Sequence, residues 1–176
     1  MPKTDPAREA LLTALEASGV SIPLWDGILI EETVRIAPGA TILPGCVLRG
    51  NTTIAAGSVI GPGSVLTDAV IGKNCIVKNT YITESTLEEN VSIGPFSQVR
   101  PGCHIAAGCK IGDFVEVKNS HIGQKTAIAH LTYVGDTDCG SGVNFGCGVA
   151  IANFNGKEKF RTTIGDGAFL GCNTNL

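Results

Sequence analysis

The sequence predicts an all-β protein, a parallel β-helix preceded by one short α-helix. Three observations predict this fold: a hydrophobic period of six residues, a second register of small residues beside it, and a composition poor in aromatic residues. Aromatic residues make up 5% of the 176 residues, whereas glycine occurs 23 times. A core of Ile, Val, Ala and other small residues suits a thin, regular layer.

The α-helix is predicted at the start of the chain. Asp5 can cap it, Pro6 can occupy its first position, and Gly19 can end it. Its apolar face would consist of Ala7, Leu11, Ala14 and Leu15. We assign residues 1–30 to this helix and its lead-in. We expect it to cover the first coil, because an open solenoid end exposes unpaired backbone.

A large aliphatic residue then recurs every six positions, with slips of one or two residues. The series includes Ile36, Ile42, Leu48, Ile54, Ile60, Leu66, Ile71, Val77, Ile82, Leu87, Ile93, Val99, Ile105, Ile111, Val117, Ile122, Ile128, Val134, Cys139, Phe145 and Ile151. Two positions earlier stands a small or β-branched residue, as at Ala40, Cys46, Thr52, Ser58, Cys75, Cys103, Cys109 and Thr126. Three edges of this period would close a coil of roughly 18 residues, and successive coils would hydrogen-bond about 4.8 Å apart.

Glycine often follows the aliphatic residue, where we expect a tight turn with positive φ. These positions are Gly61, Gly72, Gly94, Gly112, Gly123, Gly135 and Gly165.

The period fails between Ile151 and Ile164. The interrupting segment holds an Asn-Gly turn signal and the basic residues Lys157, Lys159 and Arg161. We therefore assign 31–176 to the β-helix, with a loop at 152–163 that leaves it. Irregular loops on a rigid scaffold often carry function, and a plain surface excursion is the alternative.

Composition excludes several classes of function. The net charge is −3, and no basic block predicts binding to nucleic acid. No apolar run approaches about 18 residues, and the N-terminus has no signal-peptide pattern, so we expect no membrane association. The seven cysteines lack zinc-site spacing, so we expect no metal and reduced thiols in a cytoplasmic protein.

Two cations are predicted to stack on one face. Arg100 and Lys118 each directly follow a core aliphatic residue, and 18 residues separate them. They should therefore lie one coil apart, with about 5 Å between their backbones. An anion between them, such as a phosphate, would relieve their repulsion. Two solvated side chains that splay apart are the alternative.

His130 is the candidate general base. It follows the core residue Ile128 by two positions, in an outward slot of the next coil after Lys118. Tyr133 and Asn144 also occupy outward slots. His104 and His121 are interpreted as ordinary surface residues. Cys147 and Cys172 are outward too, and a nucleophilic role for either is the less favoured alternative to direct acyl transfer.

The order of several motifs resembles a known family. IGPFSQVRPG (93–102), DFVEVKN (113–119), AHLTYVGD (129–136), VNFGCG (143–148), NFNGKEKFRT (153–162) and TIGDGAFLGCNTNL (163–176) follow one another. Over about residues 20–176 the chain resembles the hexapeptide-repeat acetyltransferase domain of the bacterial glucosamine-1-phosphate N-acetyltransferase / N-acetylglucosamine-1-phosphate uridylyltransferase family. The resemblance implies a left-handed helix, a homotrimer with sites between subunits, and acetyl-CoA as co-substrate.

The resemblance also implies roles for individual residues. His130 matches the base that takes a proton from the attacking amine. The sugar-phosphate contacts match Arg100, Lys118, Tyr133, Asn144 and Lys159. The acetyl-CoA contacts match Asn153, Phe154, Cys147 and Cys172. The family usually has Tyr, Ala and Ser in place of Phe154, Cys147 and Cys172.

We therefore expect an acetyl-CoA-dependent N-acetyltransferase that acts on glucosamine 1-phosphate, or a similar amino-sugar phosphate, in UDP-N-acetylglucosamine biosynthesis. The sequence has no counterpart of the family's nucleotidyltransferase domain and stops at Leu176 in mid-repeat, which indicates a truncated or divergent relative. One alternative is a relative that binds sugar phosphate or sugar nucleotide without acetyl transfer. A purely structural assembly module is the other.

Overall fold

The protein winds into a parallel β-solenoid with three faces, as predicted. The structure is a computed structural model and describes residues 5–176. In this range the strands form three parallel sheets, and each strand before β21 (Asn144–Phe145) leads to a strand of the next sheet. One α-helix, α1 (Pro6–Ala17), precedes them. The left hand of the solenoid stays a prediction from the resemblance.

The strands are short and divide evenly among the faces. The first face consists of β1 (Leu29–Ile30), β4 (Val47–Arg49), β7 (Val65–Thr67), β10 (Thr80–Thr83), β13 (Ser97–Val99), β16 (Glu116–Lys118) and β19 (Tyr133–Gly135). The second face consists of β2 (Arg35–Ile36), β5 (Thr53–Ile54), β8 (Val70–Ile71), β11 (Thr86–Leu87), β14 (His104–Ile105), β17 (His121–Ile122), β20 (Thr137–Cys139) and β22 (Thr162–Ile164). The third face consists of β3 (Thr41–Ile42), β6 (Val59–Ile60), β9 (Ile76–Val77), β12 (Ser92–Ile93), β15 (Lys110–Ile111), β18 (Ala127–Ile128), β21 (Asn144–Phe145) and β23 (Phe169–Leu170).

The two predicted registers fill the core. Aliphatic residues such as Ile42 and Leu66 are fully buried, and so are small residues such as Ser58. The Ser58 hydroxyl donates to the carbonyl of Gly72 at 2.7 Å and accepts from the amide of Cys75 at 3.0 Å. Among residues 5–176, no buried side-chain nitrogen or oxygen lacks a hydrogen-bond partner. The small register therefore satisfies its polar groups by bonding to the next coil.

The glycine prediction is correct only in part. Gly61 and Gly94 do adopt positive φ, +128° and +97°. Gly72 does not, and a Cβ there would lie 2.5 Å from the carbonyl carbon of Glu88 in the next coil. Glycine at this position provides room for the adjacent coil, which spacing along one coil could not indicate.

The helix has the predicted ends but only part of the predicted buried face. The carboxylate of Asp5 accepts from the amides of Ala7 at 3.1 Å and Arg8 at 3.3 Å. Leu12 is the buried helix residue, and Leu11 and Leu15 are partly buried as predicted, whereas Ala7 and Ala14 are exposed, so the prediction of the face is correct only in part. Arg8 explains the difference, because its guanidinium donates to the carbonyl of Ile28 at 2.8 Å and turns that side inward.

The segment that interrupts the period folds as a short hairpin. Phe154 and Lys159 form an antiparallel bridge, and the Asn155 side chain accepts from the turn amides of Lys157 and Glu158. The chain then rejoins the second face through β22. The hairpin thus leaves the solenoid at the corner between the first and second faces.

Candidate functional site

Two cations stack on the edge of the first face. Val99 pairs with Val117, so Arg100 and Lys118 occupy the same position in adjacent coils. Each has a carboxylate partner. Arg100 Nη1 lies 2.8 Å from Glu116 Oε1, and Lys118 Nζ lies 3.6 Å from Asp136 Oδ2. The cations are therefore held in place by the chain itself.

Lys159 of the hairpin joins them. Lys118 lowers the pKa of Lys159, because the neutral Lys159 amine accepts a hydrogen bond from the Lys118 ammonium and because the like charges repel. The same hydrogen bond, with Asp136 and Tyr133 nearby, raises the pKa of Lys118. The hairpin therefore brings a third cation to a place where positive charge is already crowded.

Tyr133 completes this group. It begins β19, and its hydroxyl lies over Gly135, which pairs with Lys118. A side chain at Gly135 would collide with that hydroxyl. We refer to Arg100, Lys118, Tyr133 and Lys159 as the cation cluster.

Asp136 organises the cation cluster, although the sequence did not single it out. Its carboxylate accepts from Asn119 Nδ2 at 2.7 Å and from Asn153 Nδ2 at 3.0 Å, besides its contact with Lys118. The Asn119 hydrogen bond is the main reason that the pKa of Asp136 is lowered, followed by Asn153 and Lys118. The signal was available, because Asp136 follows the core residue Val134 by two positions, as His130 follows Ile128.

A second ion pair fixes the base of the hairpin. Arg161 Nε lies 2.5 Å from Asp138 Oδ2, and its Nη2 lies 2.5 Å from Oδ1. Arg161 Nη1 also donates to the carbonyl of Asn119 at 3.1 Å. The guanidinium lowers the pKa of Asp138. This bidentate pair holds the hairpin close to the turn that carries Asn119.

His130 stands on the opposite edge of the first face. It lies in the turn between β18 and β19 with a φ of +61°. Its Nδ1 lies 3.2 Å from Asp113 Oδ1, and 63% of the side chain is exposed. A proton on Nδ1 facing Asp113 leaves Nε2 free to accept another proton. Asp113 is a second residue that the sequence did not single out.

The remaining predicted residues are distributed around His130 and the hairpin. Cys147 and Cys172 lie at the same corner as His130, after β21 and β23. Phe154 is exposed on the hairpin, and Asn153 uses its amide hydrogens within the chain. Asn144 lies on the third face, away from the cation cluster.

Other candidate features lie elsewhere. His104 and His121 pair on the second face, where His104 Nε2 lies 2.9 Å from Glu88 Oε1. Within residues 5–176, no three His, Cys, Asp or Glu side chains group so that they could hold a metal ion. In the same range, no helix has the length and apolar character needed to cross a membrane.

Comparison with known proteins agrees with the repeat architecture. The family described as bacterial transferase hexapeptide (six repeats) matches residues 33–68 and 84–119. The repeat of that family model thus lies within two stretches of this chain.

Curated relatives are similar over part of their length. The bifunctional protein GlmU of Acetivibrio thermocellus is 57% identical over 90 residues, which cover 51% of this chain and 20% of that protein. GlmU of Brevibacillus brevis is 54% identical over 90 residues, with the same coverage. This hexapeptide-repeat chain thus matches about a fifth of the length of these relatives.

A solved structure agrees with the fold. The UDP-N-acetylglucosamine acyltransferase from Campylobacter jejuni has a TM-score of 0.56 and 17% identity, and the match covers 89% of this chain and 67% of that one.

Proposed function

We propose that this chain is an acetyl-CoA-dependent N-acetyltransferase that acts on glucosamine 1-phosphate or a similar amino-sugar phosphate, in UDP-N-acetylglucosamine biosynthesis. One observation carries the proposal: the cation cluster lies on one edge of the first face and His130 lies on the other. Gly135 follows His130 by five positions, so the two edges are at most about 18 Å apart.

The cation cluster suits a phosphate. Arg100 offers a planar fork for two oxygens, and Lys118 and Lys159 offer ammonium groups from two other segments. A bound phosphate would favour the charged form of Lys159 and so remove the reason for its lowered pKa. Binding is then accompanied by proton uptake, and the affinity falls as the pH rises through the pKa of free Lys159.

His130 suits the proton transfer. The amine nitrogen of the sugar attacks the thioester carbonyl, the new C–N bond forms, and the C–S bond breaks. Nε2 of His130 takes the proton that the nitrogen loses and passes it to the departing thiolate of CoA. The carboxylate of Asp113, 3.2 Å from Nδ1, stabilises the imidazolium in between.

Acetyl-CoA would lie between the hairpin and the turn that carries His130. Cys147 and Cys172 are exposed there, and Phe154 is 57% exposed on the hairpin. These side chains can contact the apolar parts of CoA. Asn153 has its amide hydrogens engaged, which leaves its carbonyl oxygen as the group that can accept from the co-substrate.

A homotrimer would complete the site. Asn144 lies on the third face and can reach a cation cluster only on another copy. Phe96, Phe114 and Leu131 form an exposed apolar row beside His130, and the rings of Phe96 and Phe114 stack with centroids 5.6 Å apart. A second copy that covers this row would place its third face near His130. Seven free cysteines support a reducing, cytoplasmic location.

The test is acetyl transfer from acetyl-CoA to glucosamine 1-phosphate by the purified chain. We expect His130→Ala to lower kcat by about 10²- to 10⁴-fold. His121→Ala is the matched control, because His121 is an exposed histidine on the second face and should leave transfer unchanged. Lys118→Met should raise KM for the sugar phosphate more than it lowers kcat.

Binding measurements separate the alternatives. A thermal shift with glucosamine 1-phosphate but no transfer would replace the enzyme with a sugar-phosphate-binding relative. No shift in melting temperature at millimolar ligand would contradict both the enzyme and the sugar-phosphate-binding relative. A structural assembly module would then be the remaining hypothesis. A monomer by light scattering, with full activity, would contradict the trimer alone.

A further inference from the structure

Four chemically active side chains stand in register at one corner of the solenoid. We refer to Asp113, His130, Cys147 and Cys172 as the His130 corner. Ile111 pairs with Ile128, which places Asp113 beside His130.

The same register places His130, Cys147 and Cys172 at matching positions in three successive coils. Ala127 pairs with Asn144 and Tyr133 with Ala150, so His130 and Cys147 occupy matching positions. Phe145 pairs with Leu170 and Ala150 with Asn175, so Cys147 and Cys172 match too.

Backbone hydrogen bonds support this stacking. The amide of Gly148 donates to the carbonyl of His130 at 2.9 Å, and the amide of Asn173 donates to the carbonyl of Cys147 at 2.7 Å. Neighbouring coils are about 4.8 Å apart. That spacing lies within the range of about 4.4–6.8 Å between the Cα atoms of disulfide-bonded cysteines. The register therefore places the Cα atoms of Cys147 and Cys172 at a separation that a disulfide can span.

These two thiols differ from the other five. Cys147 and Cys172 are exposed, whereas Cys46, Cys75, Cys103, Cys109 and Cys139 are buried. Burial raises the pKa of each of the buried thiols, that of Cys139 to about 11. Glycines stand on both sides of Cys147, at Gly146 and Gly148, and Gly171 precedes Cys172, whereas Asn173 follows it.

The His130 corner also contains a base for the first thiol. Nδ1 of His130 faces Asp113, and Nε2 can then take a proton from the neighbouring coil, where Cys147 lies. The thiolate is the reactive form of cysteine. Cys147 is therefore the attacking thiol and Cys172 the resolving one.

We propose that Cys147 and Cys172 are a redox modification site, which a low-molecular-weight disulfide such as glutathione disulfide oxidises to an intrachain disulfide. His130 takes the proton of Cys147, whose thiolate attacks one sulfur of the oxidant, and the departing thiolate takes up that proton. The Cys172 thiolate then attacks the Cys147 sulfur of the mixed disulfide and releases the second small thiol. Two protein thiols are oxidised, and one disulfide is reduced to two thiols.

The experiment follows this chemistry on the whole chain by intact mass after exposure to glutathione disulfide. We expect a chain that is lighter by two hydrogen atoms, with a peptide that joins Cys147 to Cys172 and reverts with a reductant. Cys172→Ser should stop at one glutathione on Cys147, and Cys147→Ser should react more slowly at Cys172. His130→Ala should slow the first step roughly tenfold at neutral pH, because the base that takes the proton of Cys147 is then missing.

A second measurement covers the reduced chain. A trivalent arsenical such as phenylarsine oxide bridges two close thiols, so it should bind the wild type once and neither single Cys→Ser variant tightly. Stable glutathione on both cysteines, disulfide-linked dimers alone, or no arsenical binding would overturn the proposal. All of these measurements are masses, so the test of the redox site does not depend on whether the chain transfers acetyl groups.

Discussion

Asp136 shows how one carboxylate can position a site that it does not itself form. It joins three segments: the turn with Asn119, the strand end with Lys118, and the start of the hairpin with Asn153. Its side chain is only 13% exposed, so these partners replace water. A mostly buried carboxylate with several donors is stabilised in its charged form.

Asp136→Asn should destabilise the fold in a pH-dependent way. The amide presents hydrogens where the carboxylate accepted them, and we expect a cost of about 1–3 kcal/mol at neutral pH. Because folding lowers the pKa of Asp136, its stabilisation is present above the unfolded pKa of about 3.9 and is lost as the pH falls through the folded pKa.

Urea unfolding of both proteins between pH 7 and pH 3 measures this. The stability gap between wild type and variant should shrink towards the acid end. Asp68→Asn serves as a comparison, because this carboxylate accepts from the amide of Asn51 but makes no ion pair among residues 5–176. A gap that is constant with pH would contradict the role given to Asp136.

Part of the site was predictable from sequence and part was not. Spacing placed Arg100 over Lys118, because an 18-residue step in a regular coil fixes the register. Spacing could not place Lys159, because the hairpin breaks the period and its direction depends on Arg161 and Asp138. Asn144 illustrates a second limit, since spacing gave no signal that it would lie on the third face, away from the cation cluster.

At the scale of elements, the helix depends on its cap. Asp5 satisfies two amides that the first turn leaves free. Asp5→Ala should lower the free energy of unfolding by about 0.5–2 kcal/mol, whereas Asp5→Asn keeps the acceptor and should cost less than about 0.5 kcal/mol. Circular dichroism during urea unfolding measures both. Equal losses would show that the negative charge matters more than the hydrogen bond.

The position of the hairpin depends on the ion pair between Arg161 and Asp138. Arg161→Met removes both bonds to Asp138 and the bond to Asn119. We expect the hairpin to open more often and chymotrypsin to cut after Phe154 or Phe160 roughly two to five times faster.

Lys157→Met is the matched control for the hairpin. Lys157 is a hairpin cation without an ion-pair partner within residues 5–176, so its loss should leave cleavage unchanged. Equal acceleration in both variants would assign the effect to lost charge rather than to the lost anchor.

Elements of the solenoid were the most predictable feature of the fold. Each strand repeats one hydrophobic pattern, so a strand that is assigned wrongly from its own residues can be placed by the pattern of the next coil. The helix lacks such repetition, and Arg8 on its inner side makes long-range hydrogen bonds to the carbonyls of Ile28 and Trp25. Local periodicity cannot report a contact of that kind.

At the scale of the whole molecule, each coil contacts only its neighbours. Ile105 pairs with Leu87 on one side and Ile122 on the other, whereas Ile42 lies several coils away on another face. In such a stack, stability is approximately a sum of coil terms and interfaces between adjacent coils. Coupling between substitutions should therefore fall sharply with the number of coils that separate them.

Double-mutant cycles test this expectation. Ile105→Val, Ile122→Val and Ile42→Val should each cost about 0.5–1.5 kcal/mol, because all three side chains are buried. The pair at 105 and 122 should deviate from additivity by about 0.5 kcal/mol or more, and the pair at 105 and 42 by less than that. Urea midpoints at constant slope measure both cycles. Coupling of equal size would mean that strain spreads along the whole solenoid. The proposed redox and substrate sites would then depend on coils far from their own.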